Sequence, residues 1–148
     1  MPTLPDITPR PSILVVDDSW YMHALVRDAL EPLGCPVECV SDATEALGAC
    51  RRERFGVVLM DVVLPDQDGV TAARRIRELD PSTRVLLVSG LLDDTVRMAA
   101  RQAGVTAFVA KPFTGRELLG AVRSALGPDA AGMVIAGDGC PVLRLSAA

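Results

Sequence analysis

The feature that most constrains the fold is a strict alternation, begun at Ser12, between short apolar runs and longer segments whose apolar residues recur at helical spacing. Ile13-Leu14-Val15-Val16, Val57-Val58-Leu59-Met60, Val85-Leu86-Leu87-Val88 and Ala107-Phe108-Val109-Ala110 are unbroken apolar runs, as expected of strands buried on both faces. Val37-Glu38-Cys39-Val40 carries a charge midway, which assigns it to a sheet edge. Met22, Leu25, Val26, Ala29, Leu30 and Leu33 predict a first helix closed by Gly34. Asp42 and Glu45 have capping-box spacing before Ala46, Leu47 and Cys50. A third helix is expected after Asp68-Gly69 and before Pro81, and a fourth from Asp94 to Ala103 with Gly104 as its stop. Thr114 and Glu117 repeat the capping box before Leu118, Leu119, Val122 and Leu126, and Gly127-Pro128 ends that helix. Five strands alternating with five helices predict a parallel sheet with helices on both faces, because each right-handed crossover lays its helix across the sheet.

The flanks are different. Residues 1–11 hold Pro2, Pro5, Pro9 and Pro11 and read as a Pro-rich leader. Residues 12–127 form the domain. Residues 128–148 are too few for a second one. Met133-Val134-Ile135 and Val142-Leu143-Arg144-Leu145 flank Gly137-Asp138-Gly139, so this tail reads as a hairpin or as a disordered segment.

Composition excludes several function classes. The net charge of −4 disfavours a nucleic-acid-binding surface. Trp20, Tyr21, Phe55, Phe108 and Phe113 are too scattered for a base-stacking platform. No apolar run approaches the roughly 20 residues of a membrane helix. The N-terminal residues lack a secretory pattern, and Cys35, Cys39, Cys50 and Cys140 have no paired CxxC spacing, so reduced thiols in the cytoplasm are expected.

Polar residues interrupt the apolar runs at telling places. Asp17-Asp18 follows the first strand, Asp61 the third, Ser89 the fourth and Lys111 the fifth. In a parallel sheet these ends share one edge, where open α/β sheets bind their ligands. Three carboxylates there repel one another, and a divalent cation would relieve the conflict. Mg²⁺ takes oxygen ligands and usually only one or two carboxylates. A third carboxylate is then placed to attack phosphorus and form an acyl phosphate. Lys111, the chain's single lysine, supplies a compact positive charge for a phosphoryl oxygen, and the Ser89 hydroxyl a hydrogen bond.

The stretches VVDDS (15–19), LMDVVLPDQDG (59–69), VSG (88–90) and FVAKPF (108–113) resemble the response-regulator receiver family, of the CheY-like single-domain type. The resemblance spans about residues 12–127, and the motifs together, in this order and spacing, are specific. It implies a flavodoxin-like, doubly wound five-stranded parallel sheet of order 2-1-3-4-5 with five helices. It implies that Asp61 is the phosphoacceptor, that Asp18 ligates Mg²⁺ directly, and that Asp17 helps through the acidic pocket. The backbone carbonyl of Val63 would be a further ligand. Lys111 would pair with Asp61 and then with its phosphate, ahead of a cis bond to Pro112. Ser89 and Phe108 would be the switch hydroxyl and the switch aromatic. Such a protein is a phosphorylation-dependent two-component switch, or a relay intermediate, that catalyses only its own phosphoryl transfer and dephosphorylation. Its expected partners are a histidine kinase or histidine phosphotransfer protein and a downstream protein that reads the face of the fourth helix, fifth strand and fifth helix. Neither nucleic acid nor membrane is expected as a partner.

Some positions vary the family pattern. Ala43 stands where glycine is frequent, Phe108 replaces the commoner tyrosine, and Trp20-Tyr21 adds two aromatics beside the acids. Val63 and Leu91 should flank the route of water to a phosphorylated Asp61, and neither can orient a water, so slow self-hydrolysis is expected. His23, the single histidine, is expected as a surface or boundary residue. Competing readings are an interaction module that does not use phosphorylation, an aspartate-based phosphatase and a dinucleotide-binding domain. Such a phosphatase needs an acid where Val63 stands, and a pyrophosphate loop needs glycines where Asp17-Asp18-Ser19 stands.

Overall fold

The computed structural model describes residues 11–90, 93–105 and 107–127 in full, and the backbone of Met133–Ile135 and Leu143–Arg144. The strands are β1 (Ile13–Val16), β2 (Val37–Val40), β3 (Val57–Asp61), β4 (Arg84–Ser89) and β5 (Ala107–Ala110). The helices are α1 (Trp20–Leu30), α2 (Ala43–Arg52), α3 (Gly69–Leu79), α4 (Asp94–Gln102) and α5 (Gly115–Leu126). Pairing is parallel throughout these five strands, in the order β2-β1-β3-β4-β5. The charged β2 is at the edge, as its Glu38 predicted.

Side chains alternate across the sheet as strand geometry requires. Leu14, Val16, Val58, Met60, Val85, Leu87 and Phe108 pack on one face with Ala46, Ala72, Ala73, Ile76 and Ala100 of α2, α3 and α4. Ile13, Val15, Val57, Leu59, Leu86, Val88 and Val109 pack on the other with Val26, Leu30, Leu118 and Val122 of α1 and α5. Burial of each such Val or Leu stabilises the fold by about 1.5–3 kcal/mol relative to leaving it exposed. Every α-helix starts on a side-chain cap. Ser19, Asp42, Asp68, Asp93 and Thr114 accept backbone N–H bonds from Met22, Glu45, Val70 with Thr71, Val96 and Glu117 respectively. A cap of this kind stabilises its helix by about 1 kcal/mol. No helix among the described residues is long and apolar enough to cross a membrane. Cys35, Cys39 and Cys50 are free thiols.

One expectation is corrected. The first helix does not run as an α-helix to Leu33. It stops at Leu30 and tightens into a 3₁₀ turn over Glu31–Leu33, closed by Gly34 at φ 65°. Pro32 is the cause, since it has no N–H for the helical ladder and its ring crowds the carbonyl one turn back.

Beyond the five expected strands the sheet continues past β5. Met133–Ile135 forms β6, parallel to β5 with Phe108 opposite Val134, and Leu143–Arg144 forms β7, antiparallel to β6. Among the described residues the sheet thus has seven strands, and Phe108 lies on an interior strand rather than an edge one. An edge strand leaves N–H and C=O groups unpaired, and β6 satisfies those of β5. Most of the Pro-rich leader, and the tail outside β6 and β7, lie outside the described residues.

Candidate functional site

The parallel pairing brings the polar strand ends together. Asp61 is the last residue of β3 and Ser89 the last of β4; Asp17 follows β1 directly and Lys111 follows β5. The Lys111 N–H donates to the Ser89 carbonyl at 2.8 Å, which closes the β4–β5 end of the rim. The Lys111–Pro112 peptide bond is cis.

One ammonium serves two acids. Lys111 Nζ lies 3.4 Å from Asp17 Oδ2 and 3.4 Å from Asp61 Oδ2. Asp17 Oδ1 also accepts the Ser19 N–H at 2.9 Å, and Asp61 Oδ1 the Val63 N–H at 3.1 Å. Asp17 and Ser89 are buried, whereas Asp18 is exposed. Carboxylate oxygens of Asp17, Asp18 and Asp61 all lie within 4.8 Å of one another. Burial pushes the Asp61 carboxyl above its ordinary range. The Asp17 charge adds to that, while the Val63 N–H and the Lys111 ammonium oppose it. One cation against three carboxylates leaves excess negative charge on a partly desolvated rim. An all-oxygen donor set with that excess fits a hard divalent cation such as Mg²⁺.

The other expected residues are less alike. The backbone of Val63 adjoins Asp61 and pairs with Asp68 in an isolated bridge, and the residue is 67% exposed. Phe108 is fully buried in the cluster that holds Leu87, Ala100, Ala103 and Val105. Trp20 and Tyr21 stand exposed in an edge-to-face pair with ring centroids 6.3 Å apart. Leu91 lies outside the described residues.

Two site-supporting residues escaped the sequence reading. Asp66, in the loop after β3, reaches across to cap α2. Its carboxylate accepts the Ala43 and Thr44 N–H groups at 3.0 and 2.9 Å and the Thr44 hydroxyl at 2.7 Å. This fastens the loop that carries Val63. Gly69 stands against the backbone of Asp61 itself, where an added Cβ would meet the Asp61 carbonyl oxygen at 1.9 Å. The LPDQDG stretch held both residues, but neither long-range contact has a signature at short spacing.

Comparison with known proteins adds a match to the family described as the response regulator receiver domain, over residues 13–123. The chain belongs to the response-regulator receiver family. Among curated relatives, this receiver is 30% identical to the chemotaxis protein CheY of Bacillus subtilis, over 77% of the chain and 96% of CheY. It is 34% identical to the transcription factor SKN7 of Candida albicans, over 74% of the chain. The chain spans a fifth of the length of SKN7, a quarter of DctD of Rhizobium meliloti and half of TodT of Pseudomonas putida. The BeF3-activated DrrB receiver domain is similar in structure, with a TM-score of 0.73, 34% identity, and coverage of 79% of this chain and 97% of that one. A CheY-like receiver domain protein from Methanospirillum hungatei gives 0.76, 29% identity and coverage of 79% and 94%. The fold expected from sequence, five parallel strands in the order 2-1-3-4-5 with five helices, is the one these neighbours share. Receivers are in general signalling modules of two-component systems.

Proposed function

We propose that this receiver is a phosphorylation-controlled switch whose acceptor is Asp61. The observation that carries the reading is the single ammonium of Lys111 shared between Asp17 and Asp61 inside a cluster of three carboxylates. The donor is a phosphohistidine on a histidine kinase or a histidine phosphotransfer protein. An Asp61 carboxylate oxygen forms the new P–O bond as the P–N bond of the donor breaks. The imidazole leaves with the electron pair and takes up a proton.

Asp17, Asp18 and Asp61, with the Val63 carbonyl, would hold Mg²⁺, which supplies positive charge for the phosphoryl oxygens. Lys111 steadies the attacking carboxylate before transfer and a phosphoryl oxygen after it. The Val63 N–H and the Lys111 attraction oppose the effect of burial on the Asp61 carboxyl. Ser89 donates to another phosphoryl oxygen, and Phe108, opposite Leu87 on the strand beside β4, follows its movement. The altered face is that of α4, β5 and α5, where Met98 of α4 is already exposed. The receiver thus performs chemistry only on itself, within the cytoplasm, and its output is a protein.

The test is incubation with acetyl phosphate and Mg²⁺, read by intact mass. The parent gains one phosphate and Asp61→Asn gains none. Labelling that persists in Asp61→Asn moves the acceptor elsewhere, and a parent that never gains mass favours a module independent of phosphorylation.

A further inference from the structure

His23 sits in the first turn of α1 and is half-buried. Nε2 lies 2.6 Å from the Asp17 carbonyl oxygen and 3.2 Å from the Val40 carbonyl oxygen. Carbonyl oxygens only accept, so Nε2 carries the hydrogen and donates to both. The same Val40 carbonyl takes the Asp17 N–H at 3.1 Å. The Asp17 residue is therefore gripped on both sides. Its N–H is tied to the end of β2, and its C=O is tied to the first turn of α1.

That grip matters for the next residue. The Asp18 carboxylate is exposed and makes no hydrogen bond with the described residues. Nothing on its own side chain fixes its direction. Its aim toward Asp17 and Asp61 is set by the peptide that joins it to Asp17, and the carbonyl of that peptide is the one His23 holds.

We propose that His23 is a positioning residue for the cation pocket: by bridging the ends of β1 and β2 it fixes the Asp17–Asp18 peptide and so preorganises the carboxylates that receive Mg²⁺. This rests on the reading of the acidic cluster as a cation site. Hydrogen-bonded partners of ligating groups typically influence affinity by about 10–100-fold.

Trp20 supplies the readout. It is the chain's single tryptophan, two residues from Asp18, and exposed. Mg²⁺ titrations followed by its fluorescence should give a Kd about tenfold or more weaker for His23→Leu, which keeps bulk but has no donor. His23→Gln can place an amide N–H near the position of Nε2 and should return to within about threefold of the parent. Urea unfolding of the same proteins reports stability separately. A purely structural role would lower the unfolding midpoint of His23→Leu and leave its Mg²⁺ affinity unchanged; that result, or a His23→Gln as weak as His23→Leu, overturns the proposal. If His23→Leu does not fold, His23→Asn decides: its amide is too short to reach both carbonyls, so weakened binding is expected and parental affinity overturns the proposal. A parent protein whose fluorescence and intact-mass labelling are both indifferent to Mg²⁺ overturns the pocket reading along with this one, whereas a responsive parent with unaltered variants overturns the role of His23 alone.

Discussion

Substituting Gly69 by alanine tests the close packing of α3 on the end of β3 with a sign that two arguments dispute. Helix propensity alone favours alanine over glycine by about 1 kcal/mol in a helix interior, so an isolated helix would gain. The structure argues the reverse. A Cβ at position 69 falls 1.9 Å from the Asp61 carbonyl oxygen and 2.9 Å from both the Asp61 carbonyl carbon and the Val62 Cα. All three are backbone atoms, so no side chain can rotate away. Contact distances for such atoms are about 3.5 Å, which asks for a relative displacement of more than about 1 Å. The Gly69 N–H also donates to the Val62 carbonyl at 2.8 Å, so the two segments cannot part without losing that bond. Overpacking of this kind costs about 1–3 kcal/mol, which outweighs what propensity returns at a helix end. For a chain of this length Gly69→Ala should lower Tm by about 2–8 °C. The same displacement moves the carboxyl of Asp61, so the initial rate of acetyl phosphate labelling should fall about tenfold or more. A Gly69→Ala protein that melts at or above the parent and labels at the parental rate would falsify the argument.

Two further outcomes follow from the loop after β3. The exposed Asp66 carboxyl is held down at about 2, first by the Thr44 hydroxyl and then by the Ala43 and Thr44 amides. Its folded pKa lies below the unfolded value of about 3.9, so this contact supports the fold above about pH 4 and is lost as pH falls toward about 2. The urea midpoint of Asp66→Ala should therefore lie below the parent near pH 6, with the gap closing between about pH 4 and pH 2; a gap that stays constant over that range refutes the assignment. Val63 presents an exposed, apolar side chain beside Asp61, so Val63→Asn, which can orient a water, should shorten the phosphoryl half-life several-fold. An unchanged or longer half-life contradicts that reading.

Much of this architecture is written in short spacings. The strands of the sheet interior announce themselves because burial on both faces leaves no place for a polar residue, and β2 gives itself away through Glu38. The starts of α2, α3 and α5 are readable because Asp42, Asp68 and Thr114 act on backbone groups two or three residues away. The site residues are visible for a similar reason, since each marks the point at which an apolar run turns polar. What sequence hides is contact across the chain. The bonds from Asp66 to Thr44, the approach of Gly69 to Asp61 and the grip of His23 on Val40 join segments that only the folded sheet brings together. Pro32 is a different case, because its effect on α1 was local but was outvoted by the periodicity that continued through Leu33.

The strand added beside β5 bears on how a signal can leave the domain. A rim strand with free main-chain groups invites another polypeptide to lie along it, whatever that polypeptide's side chains. Here the invitation has been answered from within: β6 occupies the seat next to Phe108, and β7 closes the row with two residues. A polypeptide cannot add along the backbone of β5, and the main-chain groups left open at this flank are those of the two-residue β7.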